Sequence, residues 1–425
     1  MNSTKEHWLG LLLVVGGIIA VLLLYSWGFL SQSTIGILIV TIISAAITSG
    51  TTILYRRIKQ TSKPPGQGLG TDLYSVGDFV ETRPIPPNLA VLTKEQGQRL
   101  QREYREKLSK YEQDLVERYN AENLIVWNGK QHPVSVLLEV RCEEDQVQEK
   151  FDVDANGRVR EYRIPSVILE WGKEELLRFM KEDPLVKNPD FPDFPNSDIA
   201  HFEKFEYLNE KLIIWYQKSS FYDYVLTILS MDVWSKSKAM KLRDILEPGG
   251  TQLKGRLRSV EESLCAGTLG VNCIVKTKDG LFVVSKRSGN VSNAKYTLVG
   301  SATGFLRWDM RTNMGSPPSI FFAVKRHLYE EMEVQEYEIR QIVCIGMVRD
   351  LERAQQTDAV FYVETTLNFQ ELEQRRALAP HRREIAHYVP IEPKKITEYM
   401  VNPDSSPELI GCIYLLVKVA SDKIQ

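Results

Sequence analysis

Cysteine is scarce in this sequence, and what there is lies scattered. Cys142, Cys265, Cys273, Cys344 and Cys412 are the five cysteines of a 425-residue chain, and no two form a CxxC pair. That spacing excludes a zinc ribbon and a disulfide framework, and it suits a reducing compartment. A surplus of either charge is missing as well. Lys+Arg 53 against Asp+Glu 55 leaves no basic excess of the kind that holds a nucleic-acid polymer. Charge is absent altogether from residue 8 to residue 55. The length is too great for one ordinary domain and predicts two or three.

A bilayer span takes about 20 apolar residues, so the uncharged stretch holds two transmembrane helices, 8–29 and 35–54, joined by a tight connection at 30–34. A secretory signal peptide is the competing reading, but a second apolar segment follows directly and no cleavage site separates the two. Trp8, Trp27, Phe29 and Tyr55 fall near the helix ends, where aromatic rings prefer the interface. Arg56, Arg57, Lys59 and Lys63 follow the second helix, which puts that end, and with it both termini of the hairpin, in the cytoplasm. The expected location is therefore the inner (cell) membrane, multi-pass, with the soluble part cytoplasmic. Thr41, Ser44, Thr48 and Thr51 share one face of the second helix. Such a face either packs helix on helix through small residues or lines a water-filled path between copies.

Residues 61–92 are rich in Pro and Gly and read as a linker. Thr93 and Gln96 form a capping-box pattern opening an amphipathic helix over 93–121, with Leu100, Tyr104, Leu108, Tyr111, Leu115 and Tyr119 along one stripe. Residues 122–245 read as a mixed α/β region. Strands are expected at 124–127, 134–141 and 159–169, and helices at 174–181 and 207–216, with a proline-broken loop at 184–195.

From Gly267 the pattern sharpens. A hairpin runs 270–276, turns at Lys278-Asp279-Gly280, and returns over 281–286. A strand-like segment at 296–304 and a long loop at 305–318 precede a helix at 319–332. Strands at 339–347 and 359–365 follow, separated by a polar connection that begins Val348-Arg349-Asp350-Leu351. A segment at 384–390 and a helix at 407–417 close the region, which belongs to a domain spanning 246–425.

Three stretches in this order, GVNCIVKTKDGLFVVSKRS, AVKRHLYEEMEV and IGMVRDLERAQQTDAVFYVET, resemble the Nudix hydrolase superfamily over residues 267–417. The resemblance implies an α/β/α sandwich around a mixed sheet. It also implies a box helix whose carboxylates, one turn apart, hold Mg²⁺ against a diphosphate under attack by water. Arg326, Leu328, Glu330, Glu331 and Val334 match the box, and Gly304 or Gly315 is a candidate for its opening glycine. His327 stands where its first metal-binding glutamate belongs, Glu333 where its closing glycine belongs, and Pro318 where an outlying glutamate is expected. Glu330 and Glu331 are thus the candidate metal ligands, with a solvated helix face as the plain alternative. An imidazole suits a transition metal, whereas Mg²⁺ prefers oxygen. The resemblance further places Arg287, Tyr296, Arg326 and Arg349 at the cleft, where guanidinium forks meet phosphate and a tyrosine ring stacks on a base.

A membrane hairpin before a worn Nudix-like domain is similar to the membrane-Nudix effectors of bacterial cyclic-oligonucleotide antiphage signalling (CBASS). That likeness implies a cyclic oligonucleotide ligand, the lipid bilayer and a homo-oligomer as partners, with no nucleic-acid polymer, no obligate protein partner and no cofactor. A membrane-anchored Nudix hydrolase, dependent on Mg²⁺ and acting on a nucleoside-diphosphate compound, is the rival. A scaffold that has lost both ligand and catalysis is the third reading.

Overall fold

A computed structural model describes residues 74–87, 94–119, 124–187, 196–247, 257–291, 294–353 and 356–421. The chain divides into two compact units, Met1–Asp72 and Leu73–Gln425. The first unit carries both expected spans and the Thr41, Ser44, Thr48 and Thr51 face, all outside the described residues, as is the Thr93 cap. Among the described residues no helix is long and apolar enough to cross a membrane.

Strands account for most of the second unit: β1 (Ser75–Val76), β2 (Phe79–Glu81), β3 (Leu124–Trp127), β4 (Lys130–Cys142), β5 (Val147–Phe151), β6 (Asp198–Leu208), β7 (Lys211–Ser220), β8 (Val233–Ser235) and β9 (Met240–Lys241). Then come β10 (Gly270–Lys276), β11 (Phe282–Arg287), β12 (Leu298–Val299), β13 (Ala302–Phe305), β14 (Ile339–Asp350), β15 (Gln356–Thr365) and β16 (Ile385–Ile391). The largest sheet has nine strands in the order β12-β11-β10-β15-β14-β4-β3, with β13 on β10 and β16 on β11. β10 and β15 run parallel and β14 antiparallel to β15, so the sheet is mixed. β4 pairs with β14, so two strands of the middle region extend the C-terminal sheet. Smaller sheets order β5-β7-β6 and β1-β2-β8-β9. The latter draws residues 75–81 of the Pro/Gly-rich stretch into the fold, with the Phe79 ring stacked 6.2 Å from Trp171.

Period-two alternation decides which side chains face which layer. Val271, Cys273 and Val275 of β10 join Phe361 and Val363 of β15 in one core, closed by Ala323, Val324 and Leu328 of the Ile320–Met332 helix and by Phe202, Ile214 and Tyr216 of β6 and β7. Ile274, Val360 and Tyr362 face the other way, onto Leu409, Ile413 and Leu416 of the Pro407–Val419 helix. In β14 the alternation slips at the irregularity between Cys344 and Gly346, where Gly346 takes φ +144 and a Cβ would stand 2.3 Å from Leu138 O. Only glycine fits that bulge. A mixed α/β fold with helices on both faces of a mixed sheet is therefore present.

Two middle elements differ from the expectation. Residues 207–216 are not helical. They belong to β6 and β7, joined through Asn209 and Glu210, both at positive φ (52 and 60), a tight turn that asparagine tolerates. Leu212, Ile214 and Tyr216 are buried alternately, the signature of a strand. Residues 159–169 are not a strand either. Val159 and Glu161 make isolated bridges, and after Pro165 the chain enters the short Ser166–Glu170 helix. Proline presets φ for a helix start and cannot donate to a ladder.

The Lys94–Tyr119 helix packs on its own unit: Leu115 and Tyr119 of the expected stripe, with Val116 beside them, form a small core with Leu124, Leu257 and Leu351. Beneath it lies a fully buried ion pair. Arg243 donates from Nε and Nη2 to the two oxygens of Asp232 at 3.0 and 2.6 Å. Its remaining hydrogens reach Tyr119 Oη at 3.0 Å and the carbonyls of Leu351 and Glu352, both at 2.8 Å. All five guanidinium donors are spent. Burial opposes the Asp232 charge, but Arg243 outweighs it and holds the carboxyl well below its usual range. Arg243→Met would strand that carboxylate in the core and is expected to cost about 3 kcal/mol or more. Asp232→Leu in the same chain should recover part of the loss, as read by urea-denaturation midpoints of both variants.

Candidate functional site

The box helix is fixed at both ends. Ser319 caps it by accepting from the Phe322 N–H, and the half-buried Glu149 carboxylate accepts from the Ile320 N–H at 3.0 Å, against the positive end of the helix dipole. At its far end Glu333 takes a left-handed conformation (φ 57, ψ 31), and the Val334 N–H reaches back to Leu328 O at 3.2 Å. That is the glycine conformation of a Schellman turn, kept here by a glutamate at some cost in strain. The helix therefore ends in a turn of the kind that a glycine would close more easily.

In front of this helix lies a cavity of about 320 Å³. Its walls come from β10 and β13, from the start of β15, and from the turn bearing His381 and Glu384. Phe221 also faces it, from a helical turn that runs into the π-helical turn Val225–Leu229. Of the residues singled out by sequence, Glu330, Glu331, Arg287, His327 and Gly304 line the cavity. Arg287 Nη1 donates to Thr303 Oγ1 at 2.8 Å and Nη2 to Glu384 Oε2 at 3.4 Å. Arg326 lies beside the cavity without lining it, donating from Nε to Glu330 Oε1 at 2.8 Å. Tyr296 is 43% exposed, in a left-handed conformation, and its hydroxyl packs over Gly289 outside the cavity. Arg349 sits elsewhere. Its expected polar connection is the buried end of β14, where its guanidinium donates to Arg258 O and borders a void of about 20 Å³. Burial pulls that guanidinium below its usual value, against the attraction of Glu247.

Sequence reasoning missed Arg307, Arg353, His381, Glu384, Asp358 and Glu408, which complete the charged lining. They come from a loop, a connector, a turn, a strand start and a helix start, positions with no shared periodicity. Arg353 is held by Asp350 at 2.7 Å, Asp358 at 3.1 Å and Glu408. Burial pushes Asp358 up to about 7 against the pull of Arg353. It pushes Glu331 up to about 8, outweighing Arg287, with Glu384 adding to the rise. Glu330 is the exception: despite burial, the Arg326 hydrogen bond and the nearby His327 and Arg307 hold it below its usual range.

These groups do not fit Mg²⁺. The ion wants near-octahedral oxygen donors at about 2.0–2.1 Å. Among the described residues no group of three or more His, Cys, Asp or Glu side chains is arranged to hold a metal ion. Glu330 Oε1 is taken by Arg326 and, at 3.3 Å, by Arg307, while burial favours the protonated form of Glu331. His327, at the position of the first metal-binding glutamate, turns its Nε2 to Phe305 O at 3.2 Å. A Cβ on Gly304 would come within 2.2 Å of that ring, so the histidine in this position requires a glycine at 304.

No protein-family model matches the sequence, and no curated protein matches it. Solved structures do. DR0079 from Deinococcus radiodurans is similar at 13% identity over 35% of this chain and 81% of its own, with a TM-score of 0.27. Tm1382, a candidate Nudix hydrolase, is similar at 14% identity over 35% and 69%, with a TM-score of 0.24. A MutT protein from Methanosarcina mazei Go1 is similar at 12% identity over 37% and 96%, with a TM-score of 0.24.

The buried Glu331 makes stability depend on pH. Its folded value, about 8, lies above the 4.5 of an ordinary glutamate, so the folded chain holds this proton longer than the unfolded one. The stability this contributes is fully present below about 4.5 and is lost as pH rises through about 8. Glu331→Gln, neutral at every pH, is expected to lose that slope. Its denaturation midpoint should gain on the wild type between about pH 5 and about pH 8. A parallel pair of pH profiles would contradict the assignment.

Proposed function

We propose that this chain is a membrane effector whose Nudix-like domain binds a nucleotide phosphate without cutting it. The finer reading is a cyclic oligonucleotide made in antiphage signalling, with the N-terminal hairpin carrying the response into the bilayer as a homo-oligomer. The observation that carries the proposal is His327, sealed against Gly304 and Phe305 at the point where the first metal-binding glutamate of the resembled box would stand. The cavity beside it is of ligand size, and Arg287 and Arg307 supply guanidinium groups for phosphate. Phe221 and Phe305 supply aromatic surface for a base.

The rival, a membrane-anchored Nudix hydrolase, draws on Glu330 and Glu331, which both still face the cavity. Titration calorimetry separates the two readings. The full chain in detergent micelles is titrated with cyclic di- and trinucleotides in the presence of Mg²⁺, and the ligand is then recovered and chromatographed. Saturable heat with intact ligand is the expected result. Metal-dependent turnover of these or of nucleoside-diphosphate compounds would favour the hydrolase, and no binding by any ring would remove the effector reading.

The membrane half has its own test. Ser44→Leu with Thr48→Leu keeps the second helix a good span while removing two hydroxyls from its polar face. If that face lines a path, ligand-triggered dye release from liposomes should fall while crosslinked oligomers persist. Loss of both would mean that the face packs helix on helix, and unchanged release would discard the lined path.

A further inference from the structure

The cavity contains a buried acceptor that no described residue satisfies. Glu330 Oε1 accepts from Arg326 and Arg307, which fixes the carboxylate plane, but Oε2 has no hydrogen-bond partner among the described residues. Its neighbours do not supply a donor. His327 Nδ1 stands 3.6 Å from it and His381 Nδ1 3.8 Å, both beyond a hydrogen bond. His327 cannot donate from that atom in any case. A carbonyl only accepts, so the 3.2 Å contact with Phe305 O puts the ring hydrogen on Nε2. Burial pushes the imidazole down to about 4 and keeps it neutral, leaving Nδ1 a bare lone pair. Two acceptors therefore face each other with no hydrogen between them.

An unsatisfied buried acceptor of this kind costs free energy until a donor arrives. A phosphate is the wrong occupant, because its oxygens would meet a carboxylate and a lone pair. A hydroxyl is the right one. The same cavity holds the complementary group: Arg287 Nε is buried and has no hydrogen-bond partner among the described residues, a donor left over for an anionic oxygen. A ribonucleotide with a 3′-phosphate carries such a pair, the 2′-hydroxyl and the phosphate on neighbouring atoms of one small ring. We propose that Glu330 Oε2 accepts a hydrogen bond from a ribose hydroxyl of the ligand, so that the site selects ribonucleotides over deoxyribonucleotides. Glu330 on this view is a specificity-determining residue rather than a metal ligand. The inference rests on the nucleotide-binding reading given above.

Glu330→Gln tests it without changing the shape of the side chain. Arg326 and Arg307 both need an acceptor, so they draw the amide oxygen to the Oε1 position. The NH₂ then takes the place of Oε2 and turns an acceptor into a donor. Calorimetry compares cyclic di-AMP and cyclic di-GMP with their 2′-deoxy counterparts on the full-length wild type and the variant, with denaturation midpoints confirming that both are folded. The wild type is expected to prefer the ribose rings about tenfold or more, and the variant to bind both kinds alike. Equal binding of ribose and deoxyribose rings by the wild type would overturn the inference while leaving the nucleotide reading intact. A preference that survives in the variant would overturn it too, since the hydroxyl would be read elsewhere. Failure of every ring to bind would bring down the nucleotide reading and this inference together.

Discussion

A guanidinium with no spare hydrogens sits at the centre of this fold. Arg243 is 1% exposed and binds Asp232, Tyr119 and two carbonyls of the connector after β14. A buried pair of this kind is a poor source of net stability, because desolvation consumes most of the Coulomb gain. What it supplies is position. The Tyr111 hydroxyl joins the same carboxylate at 2.7 Å, so the Lys94–Tyr119 helix is tied at two points to the segment 231–247. Leu351 and Glu352 are tied from the other side, and the residue that follows them is Arg353. The cavity wall therefore inherits its placement from a pair that never touches the cavity.

Arg353 carries the constraint onward. It gathers Asp350, Asp358 and Glu408 from β14, β15 and the start of the Pro407–Val419 helix, and with Glu408 it borders a second cavity of about 100 Å³ under Tyr104, Leu108 and Tyr111. Several carboxylates around one guanidinium leave excess negative charge in a dry place. Burial answers by raising Asp358 and Glu352 towards their neutral forms. Such a network tolerates few alternative arrangements, so the helix that follows the N-terminal stretch and the lining of the larger cavity are parts of one contiguous packing.

Much of this was legible in the sequence because the governing period is two. β10 falls on the residues that alternation assigns, and the box helix begins one residue after its serine cap. Legibility failed where a turn reverses parity. Across Asn209 and Glu210 the apolar residues of two strands interleave at spacings that imitate a helix, and only backbone with positive φ reveals the break. It failed again at Arg349, where a charged residue reads as loop until β4 and Glu247 are seen beside it. The cavity lining was the hardest part. Arg307, His381 and Glu408 meet only through tertiary structure, and no spacing rule links them. Gly304 and His327 were each noted in sequence, but that the ring leaves room only for glycine at 304 is a fact of a 2.2 Å approach.

The helix Ile320–Met332 shows how packing can set the form of a segment apart from the charges it carries. Its cap, its helical register and the left-handed turn at its end all persist, even though the last now sits on a glutamate that would be easier as glycine. Those features are set by packing against the sheet, which any occupant of the cavity needs. Metal binding asks for more: three or more oxygen donors converging in charged form. Here one candidate carboxylate is locked by two guanidinium groups, another is buried towards neutrality, and the third position holds an imidazole turned to a carbonyl. Each of these arrangements takes up or neutralises a group that a divalent cation would need, and all three residues remain part of the cavity wall. The cavity walls are thus set by packing, and the charge state of the carboxylates by the groups that surround them.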